Sequence, residues 1–488
     1  MHRFNGVNKL YDVSIVGAGP AGLFAAYEIV QNAPDTKIVI IDKGFKISQR
    51  KCPLSIVGKC VCPVCHINHG VGGAGLFSSG IINLRPDIGG DLQDLVSSRD
   101  LANQLITYVD KIFVKFGASE DRVYEPSGQR FADYQRATAE VGAHLTPIKQ
   151  RHIGTDGSIA VIDNFTTYLE KAGVQFSLGT AVNSVEKKGD LYELKTNKGD
   201  IESRTTILAP GRVGAEWFRD QARRLHVELL PNPLDVGIRV EVPKYVMDPL
   251  TDLYMDPKVI MYTKSHDDKV RTFCVNPDGF VVVEKYDDGT IGVNGETYTD
   301  RKSGNTNFAL LASIKLTDPM EDTIDYGKSI SKLATKLGGG KPIIQRLGDL
   351  EDGRRSTWER IARNTIEPTM KSATPGDLSM ALPYRVMEDL LEFIKKMDSV
   401  LPGLGSKYTL LYAPEIKYYS MKAMVNQFME TSSKGVFAAG DGAGLSRGIN
   451  VAAATGILSS WGALSRLGID VKNEMFFHAE KAAAKRLA

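Results

Sequence analysis

Four of the chain's five cysteines sit in one stretch, RKCPLSIVGKCVCPVCHINHGVGGAGLFSSG, residues 50–80. Cys52, Cys60, Cys62 and Cys65 are spaced Cys-x7-Cys-x-Cys-x2-Cys, and His66, His69 and a run of glycines follow at once. Four thiolates converging on one point can hold an iron–sulfur cluster, with nearby glycine amides donating to the sulfurs. The same thiols, or three of them with His66 or His69, can hold zinc as a closed clip. Cys62-Pro63-Val64-Cys65 alone can cycle between dithiol and disulfide. The spacing is not that of a ferredoxin, and the Cys-x4-Cys helix of disulfide reductases is absent, so cluster, zinc, redox pair and plain packing all stay open. The fifth cysteine, Cys274 in RTFCVNPDGF, is a candidate acid or nucleophile; the competing reading is a small buried hydrophobe in a strand.

The elements around these residues are easier to read. YDVSIVGAGPAGLFAAYEIVQNAPDTKIVIIDKG opens with an apolar strand pattern over residues 13–16. It continues through Gly17-Ala18-Gly19-Pro20-Ala21-Gly22 into a helical run over 23–30, then a second apolar strand over 37–41 closed by Asp42 and Lys43. This is the strand, Gly-x-Gly-x-x-Gly, helix, strand, acid order of a dinucleotide-binding unit. Gly17 makes the tight turn, Gly19 lets backbone approach a diphosphate, and Gly22 lets the helix pack closely. Free amides and the positive end of the helix dipole meet the phosphates. Asp42 lies 20 residues past Gly22, where a carboxylate accepts from an adenosine ribose.

Two later segments favour FAD over NAD as the dinucleotide. TTILAPGRVGAEW, residues 205–217, is an apolar strand ending in Ala209-Pro210-Gly211-Arg212. It resembles the Ala-Thr-Gly segment of flavoproteins, and a β-meander pattern (AVNSVEKKGDLYELKTNKGDIES) precedes it. KGVFAAGDGAGLSRGINVAAATGILSSW gives a last strand over 436–439, then Gly440-Asp441, then a small-residue helix starting near Gly448 and Ile449. In flavoproteins such a Gly-Asp reaches the ribityl chain and the helix N-terminus meets the flavin pyrimidine edge. In order, the three segments resemble a glutathione-reductase-type FAD domain. The only other glycine cluster, LGGGKP at 337–342, follows a helical pattern and reads as a helix end. The electron donor, NAD(P)H or a redox protein, is therefore expected to have no domain of its own.

At 488 residues the chain can build two or three units. Its charged fraction is 24% and its net charge +2, which supports neither a nucleic-acid nor a membrane-surface partner. No run reaches the roughly 18 apolar residues of a membrane span, the residues before the first strand pattern lack the long apolar run expected of a signal peptide, and clustered cysteines suit a reducing cytoplasm. The fold class expected is α/β: a Rossmann-type FAD-binding domain, parallel sheet plus β-meander, with an inserted mixed α+β substrate or cap domain. The FAD domain is placed at 1–229 and 431–488, with a helical segment at 90–172, and the cap at 230–430. The β-rich pattern of the latter includes LDVGIRVEV, VRTFCVNPDGFVVVEKYDDGTIGVNG and TNFALLASIKL, with helices at 325–337 and 386–398.

Taken with GVGGAGLFSSGIIN, LAPGRVGAEWF, DVGIRVEVP, RTFCVNPDGFVV, VNGETY and FAAGDGAGLSRGI, the chain resembles the broadly distributed, largely uncharacterised FAD-dependent dehydrogenases of bacteria and archaea along nearly its whole length. A more distant likeness is to enoate- and steroid-reducing flavoproteins. The resemblance implies a flavin oxidoreductase that transfers hydride at flavin N5 to or from a small organic substrate. In related folds the segment after the second strand passes the flavin ring, which gives Gly73 and Ala74 to the cofactor and puts Ser78, Ser79 and Asn83 within its reach. Arg447 and Arg212 either bind a substrate carboxylate bidentately or pair with a structural one. Tyr384 and Glu415 are proton donors by type alone. Two other classes use the same domain: a flavin/Fe–S electron-transfer protein serving a redox partner, and an RNA-modifying flavoprotein, for which a basic face is expected.

Overall fold

A strand buried on both faces must be covered on both, and residues 13–16 of the first described strand are buried in this way. In the computed structural model, which describes residues 10–52, 62–78, 80–286, 288–298, 300–314, 323–417 and 421–487, β1 (Leu10–Val16) leads through the glycine turn into α1 (Pro20–Asn32), with Pro at the first helical position. β2 (Ile38–Asp42) follows, and α2 (Arg99–Lys115) is capped by the Ser98 hydroxyl, which accepts from the Leu101 amide. Next come β3 (Ala143–Thr146), α3 (Thr155–Lys171), β4 (Gln175–Leu178), β5 (Val182–Lys188), β6 (Leu191–Thr196) and β7 (Ile201–Leu208). The β-rich middle holds β8 (Leu234–Pro243), β9 (Lys258–Tyr262), β10 (Lys269–Asn276), β11 (Phe280–Lys285), β12 (Ile291–Glu296) and β13 (Asn305–Ile314). It continues with α4 (Thr323–Leu337), β14 (Ile343–Arg346), α5 (Tyr384–Met397) and β15 (Leu410–Lys417). β16 (Val436–Ala438) and α6 (Ile449–Arg466) return to the first sheet.

The chain divides into two compact units, one of Met1–Glu120, Gly157–Asn232 and Tyr419–Ala488, the other of Asp121–Asp156 and Pro233–Tyr418. In the first, the sheet order is β4-β2-β1-β7-β6-β5, with β16 also pairing β7. β4, β2, β1, β7 and β16 run parallel, while β7-β6 and β6-β5 are antiparallel. β7 serves both halves. Its residues 201–203 pair antiparallel with β6, and Glu202 to Leu208 pair parallel with β1. The third meander strand and the strand returning to the cofactor, read as two from the sequence, are therefore one element.

Helices α1, α2 and α6 cover this sheet and are pinned by one buried carboxylate. Glu28 accepts from Tyr108 (2.9 Å), Trp461 (2.8 Å) and Asn473 (2.9 Å). Its burial is tolerable because each oxygen is paired. α6 is buried along residues 450–464, and a Cβ at Gly456 would stand 2.1 Å from the Ala21 carbonyl oxygen. The Ala-Ala-Ala-Thr-Gly run thus lets two helices meet backbone to backbone. Phe24, Phe113, Phe116 and Phe165 fill the space between α1, α2 and α3, with Phe116 stacked on Phe165 at 4.3 Å.

The second unit is built on a mixed sheet in the order Thr374–Pro375, β14, β15, β8, β13, β10, β9, β3. β8 and β13 pair antiparallel over ten residues, from Leu234↔Ile314 to Pro243↔Asn305. Residues 121–156, given to the first unit by the helical pattern of 90–172, belong here. The reason is β3: its four residues join the edge of this sheet through β9, from Lys258↔Thr146 to Met261↔Ala143. A strand that short carries almost no periodic signal. The LGGGKP cluster ends α4, with Gly338 and Gly340 amides bonding back to Ala334 and Thr335. Among the described residues, no helix is long and apolar enough to cross a membrane.

Candidate functional site

Ligands of open parallel sheets bind outside the carboxyl ends of the strands. Here the ends of β1, β7 and β16 lead into residues 17–22, 209–212 and 439–441, and the glycines of each turn answer to a particular neighbour. Gly17 has φ +113°, and a Cβ there would lie 2.0 Å from the Ala209 carbonyl oxygen. A Cβ on Gly22 would lie 2.0 Å from the Gly17 carbonyl oxygen, so the helix can sit on the strand only with glycine there. Gly19 differs. A Cβ there meets nothing closer than the Gly73 Cα at 3.8 Å. Gly17 and Gly22 are thus filled by the fold itself, whereas Gly19 leaves a gap bounded by backbone at the N-terminus of α1. No side chain caps that terminus, so its amides remain available to an anion.

The expected cofactor residues form a continuous set of contacts. Gly72 donates to the Ala18 carbonyl at 2.8 Å and Gly73 packs against Gly19. A Cβ at Gly75 would touch Ile449, 3.3 Å away, the first residue of α6. Gly440 lies against Ala21, and a Cβ on Gly442 would strike the Gly211 carbonyl oxygen at 2.3 Å. Pro20, Lys43, Gly73, Gly211, Arg212, Asp441, Gly448 and Ile449 are half-buried, Ala74 is exposed, and Gly17, Ala21, Gly22 and Gly440 are buried beneath them.

Asp42 and Asp441 are more occupied than their motif roles suggest. The Asp42 carboxylate accepts from three backbone amides, Ala18 (2.9 Å), Gly44 (2.7 Å) and Gly70 (2.9 Å). It therefore ties the dinucleotide turn to both ends of the cysteine segment. An ionised carboxylate offers about four acceptor sites, so roughly one is left for a ribose hydroxyl. Asp441 accepts from Arg212 at 3.2 Å and from the Ser446 hydroxyl. Arg447 bonds Asp91 at 3.0 Å. Both arginines are thus ion-paired on the protein, the structural alternative raised for each.

The structure also supplies residues that the sequence did not flag. Arg50 is 3% exposed and donates to four carbonyls, His66 (2.9 Å), Ile67 (2.6 Å), Gly73 (2.9 Å) and Val71. Its guanidinium lies 4.8 Å from the centre of the Phe77 ring. Burial lowers its pKa to about 10, with the charges of Asp42 and Cys65 acting against the shift. Asn450, 2% exposed, donates to the Asn83, Arg85 and Ile88 carbonyls and fixes that segment beside the start of α6. Neither residue belongs to a spaced motif. Buried polarity, in a loop for Arg50 and at the start of α6 for Asn450, is the signal, and it appears only on folding.

Of the cysteines, Cys52 is exposed, Cys62 and Cys65 are half-buried, and Cys60 lies outside the described residues, as does Ser79. Among the described residues no group of three or more His, Cys, Asp or Glu side chains is arranged to hold a metal ion. Ser78 bonds the Gly75 carbonyl at 2.7 Å. Cys274 belongs to the second unit, where it has φ +48°, an uncommon conformation for a side-chain-bearing residue. Its carbonyl accepts from Arg239 (2.8 Å) and Asn276 (2.7 Å), and Asn276 Nδ2 is 3.6 Å from its sulfur. Glu415, a proton donor by type alone, has the scaffold setting. It is fully buried as the counter-ion of Arg239 and Lys417. Tyr384 is 77% exposed at the first residue of α5.

A protein of Clostridium beijerinckii described as uncharacterized is 24% identical over 468 residues, spanning 91% of this chain and 79% of its own. Among solved structures, glycine oxidase from Geobacillus kaustophilus aligns with TM-score 0.39 and 12% identity over 93% of this chain and 95% of that one. L-proline dehydrogenase from P. horikoshii aligns with TM-score 0.42 and 12% identity over 96% of each. Residues 233–418 match the family described as FAD-dependent protein, C-terminal domain-like, and these residues form the larger segment of the second unit. The resemblance to FAD-dependent proteins carried by the N-terminal motifs is thus joined, over residues 233–418, by a similarity to the C-terminal domain of FAD-dependent proteins.

Proposed function

We propose that the chain is an FAD-dependent oxidoreductase acting on a small organic substrate by hydride transfer at flavin N5. The observation that carries the reading is the gap beside Gly19. It lies at an uncapped helix N-terminus and is bounded by Gly73, while Gly17 and Gly22 on either side are closed. A diphosphate fits such a gap in size and charge. Bound FAD supplies two-electron chemistry that no side chain provides.

The chain's own residues then have separable tasks. The amides of Gly19, Pro20-linked Ala21 and Gly22 receive the diphosphate. The remaining acceptor site of Asp42 is offered to the ribose. Asp441, set by Arg212 and Ser446, faces the ribityl side, and the positive end of α6 at Gly448 and Ile449 favours negative charge on the cofactor. The match of residues 233–418 to FAD-dependent proteins supports the same reading. The test is direct. Gently purified chain is denatured and the released small molecule identified by mass, and the protein's visible spectrum is followed during anaerobic reduction. Stoichiometric FAD that bleaches reversibly is expected; colourless protein that binds no added FAD overturns the reading.

A further inference from the structure

We propose that Arg50 is the positioning residue of this flavin site, holding the loop of residues 66–73 in the one conformation that brings Gly73 against Gly19. This rests on the FAD reading above. Gly70, Gly72 and Gly73 have φ of +103°, +87° and +59°, so successive peptides turn and several carbonyls face one side. A buried carbonyl needs a donor. One planar guanidinium supplies it for His66, Ile67, Val71 and Gly73 together, using four of its five N–H groups.

The loop is held at two other points. Asp42 takes the Gly70 amide, and the Ala18 carbonyl takes the Gly72 amide. Those two fix where the loop is attached; Arg50 fixes how it is folded. The fit is close, since a Cβ at Gly70 would lie 2.9 Å from Arg50 Cδ and one at Gly73 would lie 3.1 Å from Gly19 Cα. Loss of the fork lets the carbonyls of Val71 and Gly73 seek water, and the loop wall beside Gly19 is no longer set for a diphosphate. Arg50 therefore acts on the cofactor through the glycines.

The test is a titration of the deflavinated full chain with FAD, read by flavin fluorescence, for wild type, Arg50→Met, Arg50→Lys and Gly73→Ala. Arg50→Met keeps the stem and removes the fork, and the dissociation constant is expected to rise about tenfold or more, as befits lost hydrogen bonds to a charged group. Arg50→Lys keeps the charge with fewer, undirected donors and is expected to fall between Met and wild type. A role in packing alone would leave Lys and Met equal. Gly73→Ala leaves Arg50 intact, adds a Cβ at the Gly19 contact, and is expected to weaken FAD binding as well. Unchanged affinity in Arg50→Met, or equal affinities for Met and Lys, overturns the proposal. If Arg50→Met does not fold, Arg50→Lys binding as tightly as wild type does so. Failure of wild type itself to bind FAD is a different result, which removes the FAD reading and this proposal with it.

Discussion

Arg239 meets Glu415 where neither side chain reaches solvent: its Nη1 lies 3.0 and 2.9 Å from the two carboxylate oxygens. Lys417 shares the same carboxylate at 2.9 Å, and Nε of Arg239 bonds Asn307 at 2.7 Å. Two buried cations thus lean on one anion in the middle of the second unit's sheet. Removing a partner from such a group strands charge in a low-dielectric interior. Glu415→Gln is expected to lower unfolding free energy by about 3–5 kcal/mol, measured by urea titration. A variant that unfolds at the wild-type urea concentration would show that the carboxylate is dispensable.

The last and the middle glycine of the dinucleotide turn should separate folding from cofactor binding. Gly22→Ala places a Cβ 2.0 Å from the Gly17 carbonyl oxygen. The helix must shift off the strand, and a loss of roughly 3 kcal/mol or more is expected, in the range of severe backbone and packing conflicts. Gly19→Ala meets nothing within 3.8 Å. Its thermal midpoint without cofactor should stay near wild type while flavin content drops. Equal stability losses in both variants would contradict this division.

Asp42 can be tested by hydrogen exchange. It accepts from the amides of Ala18, Gly44 and Gly70, and asparagine at that position turns one acceptor oxygen into an NH2 group facing an amide donor. Asp42→Asn is expected to cost about 1.5–3 kcal/mol locally, the range for hydrogen bonds to a charged group. Faster exchange should be confined to these three amides and their neighbours. Unchanged exchange there would mean that the carboxylate does not hold the turn.

Glu392 gives a prediction in pH. Burial pushes its carboxyl up, but hydrogen bonds from Lys396, from the Ser265 hydroxyl and from the Lys264 and Ser265 amides outweigh this and bring it from 4.5 down to about 2. Above the unfolded value near 4.5 both states are ionised and the stabilisation is complete. As pH falls towards 2 the unfolded state takes the proton first, and the stabilisation is lost. Glu392→Gln should therefore be less stable than wild type at pH 7, and the gap should close between about pH 4.5 and 2. A gap that stays constant across that window would refute the assignment.

How much was legible beforehand follows from the range over which each feature is determined. The dinucleotide turn is local: strand, glycines and helix sit within about thirty residues, so spacing alone located the turn at Gly17 and the close helix packing at Gly22. The ends of β7 and β16 were readable for the same reason. Arg50 was not, because its partners are backbone carbonyls of a loop 16 to 23 residues on, and carbonyls leave no mark in a sequence. Residues 121–156 were misplaced because β3 is defined by its pairing with β9 and not by its own pattern. Glu415 looked like a free acid by type; only folding brings Arg239, 176 residues earlier, into contact with it.

Gly295, on β12, lies beside that ion pair. A Cβ there would stand 2.1 Å from Nη2 of Arg239 and 2.4 Å from both Asn276 Nδ2 and Asn307 Oδ1. The space that a side chain would occupy at 295 is taken by the guanidinium of 239. Positions 239, 276, 295 and 307 are therefore one unit of inheritance: a lineage that enlarges 295 must give up the arginine and move both asparagines as well.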